Sequence, residues 1–79
     1  MTDEDPLDHI DFADVLVHGD PGKWTYIGPK SGSPTPATSP KARPGTVKHY
    51  DKYLDEFGDE IEVHFLRNAD GTVDDVKVK

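Results

Sequence analysis

Residues 60–78 read EIEVHFLR-NADG-TVDDVKV, and this stretch decides the fold. Glu60–Arg67 alternates: Ile61, Val63 and Phe65 project to one side, Glu62, His64 and Leu66 to the other. That is the period-two pattern of a strand with one face buried. Asn68-Ala69-Asp70-Gly71 follows as a turn, with a glycine ready for positive φ. Thr72–Val78 is the returning arm. Val76 and Val78 are in phase while Val73 is not, so a bulge near Asp74 is expected.

Upstream, Gly45–Tyr50 (GTVKHY) has the composition of a third strand, with Val47 and His49 on one face. The sequence therefore predicts a β-meander over 45–50, 60–67 and 72–78. Within the connecting DKYLDEFGD of Asp51–Asp59, Tyr53, Leu54 and Phe57 suit one or two helical turns closed by Gly58. A wide hairpin loop is the alternative. Lys23–Ile27 (KWTYI) has strand composition, places Trp24 and Tyr26 on one face, and is expected to join the sheet before Gly28-Pro29.

The polar residues 1–5 (MTDED) are expected to fray. Leu7, Ile10, Ala13, Leu16 and Val17 then recur at helical spacing. Asp5 before Pro6 is a good N-cap, and Asp8 and Asp11 suit the positive end of a helix. Phe12 and Val15 broaden the apolar face, and Asp14–Val17 also has the composition of a short strand. A helix over 6–17, covering one face of the sheet, is the reading adopted. Gly19 stops it and Asp20-Pro21-Gly22 is a turn.

Residues 29–44, PKSGSPTPATSPKARP, hold five prolines and no side chain larger than alanine that could join a core. This is a long Pro/Ser-rich flexible loop of polyproline character. Ser33-Pro34, Thr35-Pro36 and Ser39-Pro40 have the form of proline-directed phosphorylation sites, and P-x-x-P spacing is absent. The fold class is thus α+β: a small antiparallel meander of three to four strands, one N-terminal helix and a long Pro-rich loop, in a single domain over 1–79.

Composition narrows the function. A chain of 79 residues hides only about 60% of its unfolded surface, so a partner or oligomer can matter to its stability. Without cysteine it has no disulfide or thiolate metal site. The longest apolar run is Val15-Leu16-Val17, too short for a membrane span. With no apolar leader pattern at its start, a cytoplasmic site of action is the expectation, or delivery as part of a larger secreted protein. The net charge of −7 is segregated: residues 1–20 carry seven acids and no Lys or Arg, residues 21–48 five bases and no acid, residues 49–79 nine acids and four bases. An acidic surface of this kind is steered toward basic partners and is a poor footprint for phosphate backbones.

The residues best suited to catalysis are His49, Glu62, His64 and Arg67, with Tyr50 and Tyr53 close in sequence. Glu62 and His64 stand two apart on a strand and point the same way. His64 is a residue type suited to general acid or base work near neutral pH, and Glu62 is a natural partner for it. A base, an acid and a cation make up what metal-independent RNA cleavage requires, although alternation puts Arg67 on the opposite face. A second cluster, Asp8, His9, Asp11, Asp14, His18 and Asp20, holds metal-ligating residue types without a known ligand spacing, and reads as an acidic helix face. Asn68–Asp75 lacks the ladder of a calcium loop and is better read as a hairpin turn. Trp24 and Tyr26, with Lys23, Lys30, Lys41 and Arg43 nearby, could also stack bases. No metal or other cofactor is expected.

Residues 45–79 (GTVKHYDKYLDEFGDEIEVHFLRNADGTVDDVKVK) resemble the C-terminal tails of bacterial polymorphic and contact-dependent toxin modules, in a pattern K-H-Y-D … G-x-E-I-x-V-H-F before a final short strand. The resemblance implies a small nuclease or an associated module, with His49, Glu62, His64 and Arg67 as candidates and, for a nuclease, RNA as the substrate. The acidity of this chain and the insert Tyr53–Phe57 depart from that pattern. The leading expectation is a small acidic, non-catalytic protein-interaction module that docks a protein with a basic surface, away from membranes. A toxin-like ribonuclease using His49 and His64, and an inhibitor whose carboxylates mimic nucleic acid, are the alternatives.

Overall fold

Glu60–Arg67 forms β4, an inner strand of the sheet. The computed structural model describes residues 5–38 and 43–79. In chain order it contains a 3-10 turn (Pro6–His9), α1 (Phe12–His18), a second 3-10 turn (Pro21–Lys23), β1 (Thr25–Pro29), β2 (Thr35–Pro36), β3 (Val47–Leu54), β4 and β5 (Val73–Val78). The strands make one five-stranded antiparallel sheet of order β1-β3-β4-β5, with β2 beside β3. The α+β meander read from the sequence is the observed architecture, and β2 adds a fifth strand.

The inward face of β4 builds the core. Ile61, Val63 and Phe65 are at most 3% exposed and pack with Trp24, Tyr53 and Val73; Leu7, Ile10, Val76 and Val78 lie against them. The expected bulge falls one residue after Asp74. Leu66 pairs with Asp74 and His64 with Lys77, so Phe65 alone faces Asp75 and Val76. Asp75 accommodates the extra residue at φ 56. The insertion shifts the phase of β5, so that Val73, Val76 and Val78 all reach the core side.

Five local expectations are corrected. The helix over 6–17 breaks at Ile10 and Asp11, both extended. Asp5 accepts the Leu7 N–H and starts a 3-10 turn; the Asp11 carbonyl then starts α1 afresh. Leu7 and Ile10 pack on the core, but α1 buries no residue and does not cover the sheet. The Lys23–Ile27 strand moves to Thr25–Pro29, because Asp20 caps a 3-10 turn through Lys23.

β3 runs through Tyr53 and Leu54 in register with β4, so no helical turn forms; Asp55–Asp59 is the wide hairpin loop instead. The Pro-rich stretch is not structureless over 29–38. The Lys30 N–H donates to the Tyr50 carbonyl, the Tyr50 N–H donates to Ser33 Oγ, and Thr35-Pro36 pair with Lys48 and Val47. Backbone donors and acceptors on the edge of β3 recruit a segment that has no side chains for a core. Met1–Glu4, Ser39-Pro40 and Lys41 lie outside the described residues.

Candidate functional site

Strand register sorts the four candidate catalytic residues. In the β3–β4 pair, His49 stands opposite Phe65 and Val47 opposite Arg67, on the core side; Tyr50 stands opposite His64 and Lys52 opposite Glu62, on the outer side. His49 and Arg67 are therefore separated from Glu62 and His64 by the thickness of the sheet. The four do not converge.

On the core side the His49 ring stacks on Phe65, 4.8 Å between centroids and 1° from parallel. The Arg67 guanidinium lies 5.9 Å from the same ring. Burial lowers the His49 pKa; Asp51 pulls it back and Arg67 pushes it further down. Burial likewise raises the Asp51 carboxyl. Tyr53, a core residue, has its phenol pushed up to about 12, first by burial and then by Asp51. It takes no part in an outer site.

On the outer side His64 Nε2 meets Glu62 Oε2 at 2.8 Å, and the Tyr50 ring stands edge-on to His64 at 4.6 Å. The His64 hydrogen bond is the main reason that the Glu62 carboxyl sits below its usual range, with Lys30 assisting from 3.5 Å. Glu62 thus orients an imidazole beside a phenol, an arrangement able to move a proton. Tyr50 lines two clefts of about 350 and 240 Å³, the first lined also by Thr35, Lys48, Leu66 and Asp75 among others. Four lysines of this face have local partners: Lys30 with Glu62, Lys52 with Glu60 at 3.0 Å, Lys77 with Asp75 at 3.9 Å, and Lys48 over the Tyr50 ring at 5.4 Å. Charge paired in this way leaves little field for a polyanion.

The acidic N-terminal cluster does not gather around a metal. His18 Nδ1 turns to Asp55, 3.3 Å away. Among the described residues no three His, Cys, Asp or Glu side chains are placed to hold an ion. Asp5, Asp8, Asp11 and Asp20 are all exposed. Among the described residues no helix is long and apolar enough to cross a membrane.

The α1 surface is the feature that sequence reasoning misassigned. A helix covering the sheet would turn Leu16 and Val17 toward it, yet they are 70% and 68% exposed, and Phe12 beside them is 72% exposed. Their helical spacing is legible in the sequence. The direction in which that arc points is decided by tertiary contacts of His18, Trp24 and Glu56, for which the sequence carries no local signal.

The chain matches no protein-family model, no curated protein and no solved structure.

Proposed function

We propose that this protein is a small, non-catalytic interaction module that docks a protein partner with a basic surface. The observation carrying this reading is the exposed acidic edge at residues 5–20. Asp5, Asp8, Asp11 and Asp20 lie open to solvent there, and the segment contains no Lys or Arg to neutralise them. Such an edge raises association rates with a cationic surface and makes binding salt-sensitive. Separation of His49 and Arg67 from Glu62 and His64 weighs against the ribonuclease alternative, and so does the local pairing of the outer-face lysines.

Chromatography on immobilised polylysine tests the docking reading. The D8N/D11N variant should elute at lower salt than an E60Q/D75N variant, which removes the same charge from the sheet. Equal elution of the two would place the attraction in the net charge rather than in this edge. For the ribonuclease alternative, the protein and a His64→Ala variant are incubated with total RNA; cleavage by the former alone would revive that reading.

A further inference from the structure

α1 is turned inside out. At 3.6 residues per turn, Phe12, Ala13, Leu16 and Val17 fall in one arc, and all four are exposed. The opposite side holds Asp14, Val15 and His18, which are half-buried. A surface helix ordinarily buries its apolar stripe and exposes its polar one. Here the stripe is outward in a helix with no buried residue.

The orientation is held from the C-terminal end. The Trp24 indole N–H donates to the His18 carbonyl at 3.0 Å, and His18 Nδ1 meets Asp55. Glu56 accepts from the Asp20 N–H at 2.9 Å and from Lys23 Nζ at 3.2 Å. Gly19, at φ 79, closes the helix where any side chain would run into Glu56. Phe57, next along that loop, is itself 67% exposed.

We infer that α1 is the anchor of the docking surface, and that its occupant is a basic amphipathic helix of a second protein. The apolar side of that helix would cover Phe12, Leu16 and Val17, and its Lys or Arg residues would face Asp8 and Asp11. This rests on the docking reading above and adds the site and the partner's chemistry. Charge complementarity selects the occupant: a second copy would bring the same aspartates together, whereas a cationic helix satisfies both parts of the surface.

The test uses two synthetic peptides of roughly 15 residues, one of leucine and lysine patterned as an amphipathic helix, the other of lysine alone. Calorimetry gives affinity, and amide chemical shifts of the labelled protein give location. The leucine–lysine peptide is expected to bind more tightly and to shift residues 12–18. F12A/L16A, which keeps helix propensity because alanine is the best helix former, should weaken that binding by roughly tenfold or more. If both peptides bind alike and F12A/L16A changes neither, the acidic docking reading survives and the helix anchor falls. If neither peptide binds, both fall. If the protein alone self-associates in sedimentation and F12A/L16A abolishes it, the occupant is a second copy and the inference is overturned.

Discussion

His18 Nδ1 lies 3.3 Å from Asp55 Oδ2, joining the last residue of α1 to the β3–β4 loop. The Asp55 side chain is only 2% exposed, and its other oxygen accepts the N–H groups of Phe57 and Asp59, both at 2.9 Å. Desolvation is the largest single influence on this carboxyl and pushes it up. The Asp59 N–H, the His18 ring and the Phe57 N–H together outweigh it, and the net shift is downward. A carboxyl with a depressed folded-state pKa contributes stability that is present above its unfolded value of about 3.9 and lost as pH falls through the folded value. Thermal melts across the acid range should therefore show the native protein losing stability below about pH 4. Asp55→Asn should melt lower at neutral pH, on the order of 5 °C, and lose less on acidification. Parallel acid profiles for the two proteins would contradict this role.

The strand residues were legible because burial on one face imposes period-two alternation, and β4 matches Glu60–Arg67 to the residue. The bulge was legible because Val73 broke phase with Val76 and Val78. The helix was not, because two aspartates compete as starters and the tertiary contacts of His18 choose which way the apolar arc turns. Tyr53-Leu54 looked helical by spacing, but pairing with Ile61 and Glu60 overrode that local preference. At the candidate site, Glu62 and His64 followed from alternation alone. The isolation of His49 followed only from cross-strand register, which no single strand encodes.

Asn68 holds the β4–β5 turn. Its Oδ1 accepts from Thr46 Oγ1 at 2.9 Å, and its Nδ2 donates to Thr72 Oγ1 at 3.0 Å and to Asp74 Oδ2 at 2.7 Å. The residue is 8% exposed. Asn68→Ala leaves these partners unmatched and should cost about 1–3 kcal/mol in urea unfolding. Asn68→Asp is worse at neutral pH: it removes both donors and sets a carboxylate against Asp74. Part of that loss should return when acid neutralises the pair. A variant as stable as the parent at neutral pH would show that Asn68 is dispensable to the turn.

Asp75 occupies the left-handed region at φ 56 in the bulge. An L-residue there carries about 1–2 kcal/mol of strain, less for Asp than for most. Asp75→Gly should therefore be neutral or stabilising by up to about 1 kcal/mol, since the Lys77 contact at 3.9 Å is weak and exposed. Asp75→Val should destabilise, because a β-branched side chain resists this conformation. Equilibrium denaturation of the two variants gives the ordering. If valine were tolerated as well as glycine, the bulge would not impose the backbone described.

Phe65 and Leu16 make opposite predictions for the same kind of truncation. Phe65 is 2% exposed and packed between the His49 ring and the core, whereas Leu16 is 70% exposed. Phe65→Ala should cost about 3–5 kcal/mol, a large part of the stability of a domain this size. Leu16→Ala removes no buried contact and should stay within about 0.5 kcal/mol of the parent. Circular dichroism during urea titration compares them directly. A Leu16→Ala loss as large as a core truncation would mean that α1 packs inward in solution, and the inside-out helix could not then serve as an anchor. Retained stability, together with weakened binding of the leucine–lysine peptide, separates a docking role from a structural one, because only docking depends on a side chain that the fold leaves unburied.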